Sequence, residues 1–124
     1  MTYLDTHVVM WLYEGMANKL SKAALDRIQS DALFISPAVI LELQFLHEIR
    51  RLTLTGPKLV AALADDIGLE VCQLEFQSVV DSALDQSWVR DPFDRFIVAH
   101  AAANDAALIT KDEKIRRHYK RAIW

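Results

Sequence analysis

Four acidic residues that are far apart in the sequence fall where one predicted element of secondary structure gives way to another. Asp5 directly follows a short apolar segment, and Asp112 comes two residues after another such segment ends. Glu42 lies about one and a half turns into a predicted helix, and Asp94 lies in the first turn of another. Acids in these positions are candidates for one shared site.

Carboxylates that share a site repel one another at neutral pH unless a cation neutralises them. Oxygen ligands select hard ions such as Mg²⁺ or Mn²⁺, and this chain has no set of histidines and cysteines that would favour zinc. One such ion activates a bound water, and a second stabilises the leaving oxygen in an in-line displacement. The acids therefore indicate phosphodiester hydrolysis with one or two divalent ions.

Short apolar segments alternate with helical patterns along the chain, and five of them are typical of strands. Most are followed by one or more helices, which implies crossover connections and a parallel sheet, and their unbroken apolar character predicts burial on both faces. We predict an α/β fold, a three-layer α/β/α sandwich around a mainly parallel sheet, in a single domain spanning residues 1–124. The five segments are TYLDT, ALFIS, LEVCQL, AALIT and RAIW.

The carboxyl edge of that sheet is where the acids have to meet. In open parallel sheets, ligands bind beyond the carboxyl ends of the strands. Counting along the sequence places Asp5 and Asp112 at this edge. Glu42 and Asp94 reach it only if their helices are suitably placed, which counting does not establish.

Capping residues mark several helix boundaries. Ser21 is a good N-cap, and Ser36 with Pro37 supplies the cap and first helical residue of a second helix. Asp91 is well explained as the N-cap of a helix that begins at Pro92.

The composition is that of a globular protein, with 52% hydrophobic and 25% charged residues. A net charge of −3 argues against nucleic-acid binding by bulk charge, although the stretch from Lys111 to Arg121 is rich in basic residues. No signal peptide or membrane-spanning segment is expected. Cys72 is the only cysteine, and we expect it in a strand as a small buried hydrophobe, in a protein of the reducing cytoplasm.

Four stretches of the sequence, in this order, carry a family resemblance: YLDTHVVMWL at 3–12, SPAVILEL at 36–43, RDPFDRFIVAHA at 90–101 and LITKDEKI at 108–115. They resemble the PIN-domain ribonucleases, specifically the VapC-type toxins of type II toxin–antitoxin pairs. The resemblance covers essentially the whole chain, and the closing AIW also fits.

The resemblance implies a set of functional properties. The acidic quartet of the family falls on Asp5, Glu42, Asp94 and Asp112, as metal ligands and catalytic residues. The implied activity is that of an endoribonuclease dependent on Mg²⁺ or Mn²⁺. The implied partners are an RNA substrate, a second copy of the chain in a homodimer, and a cognate antitoxin whose tail enters the active-site groove. Polar helpers near the metal would be Thr6, Asp91 and Thr110.

Each acid also has a structural interpretation. Asp5 could cap a helix that begins near His7, and Asp112 could cap the short helix of EKIRR. Asp94 could pair with Arg95 or favour the helix N-terminus, and Glu42 could be a solvated helix residue. We favour the site for all four, because a charge in the apolar segment AVILELQFL needs a partner and the other three match the family.

Basic and aromatic residues around these acids receive weaker assignments. His7 could line the groove, but it is expected to pack in the first turn of its helix, and no histidine is assigned acid–base work. Trp11, Tyr13, Phe93 and Trp124 are expected in the core or an interface rather than as platforms for stacked bases. RNA contacts are assigned as a group to Arg90, Arg95, Lys111, Lys114, Arg116 and Arg117.

Two other functions compete with a nuclease. The first is a catalytically silent module of the same fold that only binds partners. The second is an aspartate-based phosphatase or receiver domain, which the sequence disfavours. A haloacid-type phosphatase has a second aspartate two residues after the first, where this chain has His7, and a receiver domain has an aspartate at the end of the third strand, where this chain has VCQL.

Overall fold

The computed structural model describes residues 1–124 and contains five strands, seven α-helices and one 3₁₀ helix. The strands are β1 (Thr2–Leu4), β2 (Leu33–Ile35), β3 (Glu70–Val71), β4 (Ala107–Ile109) and β5 (Ala122–Ile123). The α-helices are α1 (Thr6–Tyr13), α2 (Lys22–Ser30), α3 (Pro37–Glu48), α4 (Gly56–Ile67), α5 (Phe76–Leu84), α6 (Pro92–Ala103) and α7 (Glu113–His118). The 3₁₀ helix spans Ala17–Lys19.

All five strands form one parallel sheet in the order β3-β2-β1-β4-β5. Each connection between strands contains at least one helix, which is what parallel pairing requires. β1 lies at the centre between β2 and β4, and its three residues are fully buried. The predicted α/β fold with a parallel sheet of five short strands is confirmed.

The helices begin where the capping residues predicted. The side chains of Ser21 and Ser36 accept hydrogen bonds from the backbone at the starts of α2 and α3. Gly56 opens α4 against α3 so closely that an added Cβ would overlap the carbonyl oxygen of Ile40 and lie 3.0 Å from the backbone nitrogen of Gln44. This close approach fixes the position of α3, the helix that carries Glu42.

One cluster of 23 buried apolar residues forms the main core, and it includes residues of the three longer strands, β1, β2 and β4, and of most helices. Cys72 belongs to this cluster but lies one residue beyond the end of β3, so the prediction that it sits within a strand was wrong by one position. The Tyr3 hydroxyl donates to its sulfur at 2.9 Å. None of the helices has the length and apolar character needed to cross a membrane.

Candidate active site

A single cavity of about 260 Å³ opens at the carboxyl edge of the sheet, and all four predicted acids line it. The acids therefore face one shared space, as the sequence analysis required. The full lining is Asp5, His7, Trp11, Glu42, Asp91, Asp94, Lys111 and Asp112.

Asp5 is buried at the end of β1, where its two carboxylate oxygens have different partners. Oδ1 accepts from the backbone N–H of Thr6 at 2.8 Å, so Asp5 is the N-cap of α1. Oδ2 accepts from the hydroxyl of Thr110 at 2.6 Å. The helix begins one residue earlier than the sequence suggested, and the capping interpretation is confirmed for a side chain that also lines the shared cavity.

Thr110 connects Asp5 to the loop that carries Asp112. It follows β4, the neighbour of β1, and the backbone N–H of Asp112 donates to its hydroxyl oxygen at 3.1 Å. Asp112 in turn caps α7 by accepting from the backbone N–H of Ile115 at 2.9 Å. The pairing of β1 with β4 thus places two of the acids side by side.

The other two acids come from helices packed against this edge. Glu42, on α3, accepts a hydrogen bond from the hydroxyl of Thr6. Asp94 lies in the first turn of α6, where its backbone N–H donates to Oδ1 of Asp91 at 3.0 Å. Each of the three predicted helpers therefore contacts at least one of the four acids: Thr6, Asp91 and Thr110.

The proposed pairing of Asp94 with Arg95 is absent. The Arg95 Nε instead donates to the backbone carbonyl of Ala83 at 2.9 Å and ties α6 to α5. None of the three salt bridges in the protein involves an acid of the cavity. Five carboxylates therefore face one lysine, Lys111, and one histidine.

This crowding makes ionisation unfavourable. Burial raises the pKa of Asp5 above its ordinary value. Burial, followed by the neighbouring charges of Asp5 and Asp91, also raises the pKa of Glu42. Burial and then the surrounding carboxylates raise the pKa of Asp94 to about 7, so the favourable dipole of α6 does not offset desolvation and repulsion there.

Two residues that the sequence analysis preferred as packing residues, His7 and Trp11, line the cavity. His7 is exposed and lines the cavity rather than packing in the first turn, and Trp11 lies one helical turn further along α1 with its ring centroid 6.0 Å from that of His7. Their spacing of four residues places both side chains on one face of the helix. This four-residue spacing, close after Asp5, is the sequence signal that could have identified both residues as part of the site.

The predicted RNA contacts lie in different places. Lys111 lines the acidic cavity, whereas Arg90 and Arg95 line a separate cavity of about 320 Å³ beside α5. Lys114 and Arg116 are exposed on α7, as is Arg117. Of the basic residues assigned to RNA, only Lys111 is in the same cavity as the acids.

The sequence matches the family model of the PIN domain over residues 2–121. The chain belongs to the PIN domain family. Ribonuclease VapC22 from Mycobacterium tuberculosis (strain ATCC 25618 / H37Rv) is 33% identical over 118 residues, which make up 93% of this chain and 89% of that relative.

Solved structures share the fold of this PIN domain. A chain in the crystal structure of VapBC2 from Rickettsia felis bound to a DNA fragment from their promoter gives a TM-score of 0.69 at 19% identity, with 100% of this chain and 98% of that chain covered. A chain of a toxin–antitoxin complex from Klebsiella pneumoniae gives 0.68 at 16% identity, with 100% and 97% covered.

The donor chemistry of this PIN-domain cavity fits a hard divalent cation. All the acidic side chains offer oxygen ligands, and the raised pKa values of Asp5, Glu42 and Asp94 indicate burial and negative charge that a cation would relieve. No three acidic, histidine or cysteine side chains converge closely enough to hold an ion as they stand. Carboxylates with no cation between them repel one another, which keeps these side chains apart. They would have to turn inward to coordinate a cation.

Replacing Asp94 by asparagine should stabilise the metal-free protein most strongly at alkaline pH. The pKa of Asp94 is raised from its ordinary value of 3.8 to about 7 in the folded protein, so its ionisation is less favourable there than in the unfolded chain. The free energy of unfolding of the wild type therefore falls as pH rises from 3.8 through about 7. The variant should therefore gain roughly 1–3 kcal/mol over the wild type at about pH 8 and much less at about pH 5. Urea denaturation in the presence of a chelator measures this difference.

Burial lowers the pKa of His100, which makes the free energy of unfolding rise with pH. This opposite effect is present in both proteins, so comparing the variant with the wild type at each pH cancels it. Asp66→Asn, on the exposed face of α4, is the matched control and should show no such trend. A gain for Asp94→Asn that stays constant with pH would show that Asp94 is not under electrostatic pressure in this cavity.

Proposed function

We propose that this protein is a metal-dependent endoribonuclease that acts as the toxin of a toxin–antitoxin pair. The observation that carries the proposal is the cavity in which five carboxylates face a single lysine, at the carboxyl edge of a PIN-domain sheet. The similarity to Ribonuclease VapC22 over 93% of the chain supports the same activity.

Mg²⁺ or Mn²⁺, as one or two ions, is the cofactor that this donor set suits. Asp5, Glu42, Asp94 and Asp112 would hold it, and they are the proposed catalytic residues. When bound, such an ion lowers the pKa of a coordinated water and neutralises charge on the phosphate. The reaction is hydrolysis, in which a water oxygen bonds to phosphorus and the bond from phosphorus to one ribose oxygen breaks.

The chain itself orients the acids before any ion binds. The hydroxyl of Thr110 holds one oxygen of Asp5, and the hydroxyl of Thr6 holds Glu42. Asp91 and Asp112 use only Oδ1 as helix caps in this structure, which leaves the second oxygen of each carboxylate available. Asp5 and Glu42 are therefore partly ordered, which reduces the entropy that ordering them around a cation would cost, although the side chains still have to turn inward to coordinate it.

RNA is the proposed substrate, and its phosphates are proposed to contact Lys111, Lys114 and Arg116. Lys111 is the best placed, because it lines the cavity. Arg90 and Arg95 were predicted to take part as well, but they line a different cavity, and the Arg95 guanidinium already holds a backbone carbonyl.

We propose a cognate antitoxin as the protein partner, with a tail that enters the acidic cavity. A basic side chain from such a tail would neutralise the same carboxylates that a metal ion neutralises, so the two would compete. The Klebsiella pneumoniae structure with the same fold is a toxin–antitoxin complex, which supports a partner of this kind. A cytoplasmic location for the pair remains a prediction.

We also propose that the chain forms a single domain over residues 1–124 and associates as a homodimer. A core cluster whose members run from Tyr3 to Ile115 supports one domain. Exposed apolar residues at helical spacing along α3 support a dimer: Leu41 is 62% exposed and Phe45 is 49% exposed. Leu41 and the 72% exposed Phe76 line one apolar groove of about 430 Å³.

A catalytically silent binding module remains the alternative function. The same carboxylates could hold a metal ion without cleaving RNA. Cleavage assays separate the two, because a silent module binds the ion and leaves every RNA intact.

Purified protein, free of any partner, should cleave transfer or ribosomal RNA when Mg²⁺ or Mn²⁺ is present and should lose this activity in chelator. Asp5→Asn should lower the cleavage rate by more than about 100-fold. Mutating residues that only support metal ligands already lowers metal affinity or activity by about 10- to 100-fold. Gel analysis of defined transcripts measures the rates, and Asp66→Asn is the control. Asp5→Asn protein that cleaves at the wild-type rate would refute the catalytic assignment.

Charge placed on the exposed face of α3 should dissociate the proposed homodimer. Leu41→Glu and Phe45→Glu each bury a carboxylate in an apolar interface, so the dissociation constant should rise by more than about 30-fold. Sedimentation velocity over a range of concentrations measures it. Ile67→Glu, on the exposed end of α4, is the control, and monomeric wild-type protein would exclude the dimer.

A further inference from the structure

Two tryptophans and two lysines lie together at one side of the acidic cavity. The ring centroids of Trp11 and Trp124 are 5.9 Å apart, with the ring planes inclined by 57°. The Lys19 ammonium lies 5.7 Å from the centroid of Trp11, and the Lys111 ammonium lies 5.9 Å from the centroid of Trp124. We call these four residues the tryptophan rim.

The sheet explains why the tryptophan rim adjoins the acids. Trp124 directly follows β5, and the pairing of Ile109 with Ile123 places it level with Thr110 at the carboxyl edge. Trp11 lies on α1, six residues after the Asp5 cap, and lines the cavity itself. Both indoles rest against the core on one side and are only partly buried, so each is held in place and keeps an exposed surface.

The charge of the cavity favours a surface of this kind for binding a nucleic-acid substrate. The chain has a net charge of −3, and five carboxylates surround the point where a phosphate must arrive. Binding by phosphate contacts alone is therefore weak before a cation is present. Stacking of a base on an indole is independent of charge and typically tightens binding by about five- to 100-fold for each base.

The lysines do not block the indole surfaces. Both are exposed, and an exposed cation–π contact is worth only about two- to fivefold in affinity, less than a stacked base. A base can therefore displace the ammonium group, which remains close enough to contact the adjoining phosphate.

We propose that the tryptophan rim is the substrate-binding platform of this protein, on which unpaired bases of single-stranded RNA stack on Trp11 and Trp124 while Lys19 and Lys111 contact the flanking phosphates. The proposal rests on the ribonuclease function proposed above and adds to it the residues that bind the bases of the substrate. It also revises the expectation that both tryptophans serve only the core or an interface.

The test measures stacking without cleavage. The chain has three tryptophans, so Trp88→Phe leaves only the two of the rim. Trp88 is the one to replace because it stacks on His118 and does not line the cavity. In chelator, a short oligoadenylate should quench the fluorescence of this variant and bind roughly tenfold more tightly than an abasic oligomer of the same length and charge. Trp11→Leu and Trp124→Leu should each reduce this preference severalfold and leave affinity for the abasic oligomer unchanged.

Lys111→Ala should weaken binding of both oligomers equally, because it removes a phosphate contact. Trp88→Leu in the otherwise wild-type protein is the matched control and should keep the full preference. Thermal unfolding identifies any variant that fails to fold. If Trp11→Leu fails to fold, Trp11→Phe and Trp124→Leu provide the test. Trp11→Phe is then expected to keep part of the preference for oligoadenylate over the abasic oligomer.

Equal affinity for oligoadenylate and the abasic oligomer, or a preference that survives both leucine variants, would overturn the proposal and leave the indoles as packing residues. Failure of the ribonuclease function gives a different result. In that case oligoadenylate still quenches the rim fluorescence, but no RNA is cleaved when Mg²⁺ or Mn²⁺ is added.

Discussion

Repulsion among five carboxylates at one edge of the sheet is the constraint on which the rest of the site depends. Burial is the larger cause of the raised pKa of Asp94, and this repulsion adds to it and brings the pKa to about 7. Fold stability alone would favour fewer acids here, because ionising Asp5, Glu42 and Asp94 without a counter-ion destabilises the folded state. The arrangement becomes favourable only when positive charge enters the cavity, whether as a metal ion or as a basic side chain of a partner.

The fold keeps these acids in place through hydrogen bonds that also serve the backbone. Asp5, Asp91 and Asp112 each cap a helix, so the capping interpretation and the site interpretation describe the same side chains. The caps fix the carboxylates at helix N-termini, where the dipole partly compensates their charge. Thr110 then joins two of them across adjacent parallel strands.

Much of this could be predicted from the sequence. The strands are short apolar runs, and the caps at Ser21 and Ser36 are local signals, so both were found correctly. The roles of His7 and Trp11 were not, because exposure of one helix face depends on what packs against the other. Likewise, the Arg95 contact with a neighbouring helix is a tertiary interaction that no local pattern encodes.

The most direct test of the shared acidic site is to locate a bound Mn²⁺ by paramagnetic broadening in the NMR spectrum of isotope-labelled protein. Broadening falls steeply with distance, so sub-stoichiometric Mn²⁺ should first remove the backbone amide signals of Asp5, Glu42, Asp94 and Asp112. Asp65 and Asp66, an exposed acidic pair on α4, provide the internal control. Broadening that begins at this pair, or that spreads evenly over the protein, would contradict a shared cation site at the carboxyl edge of the sheet.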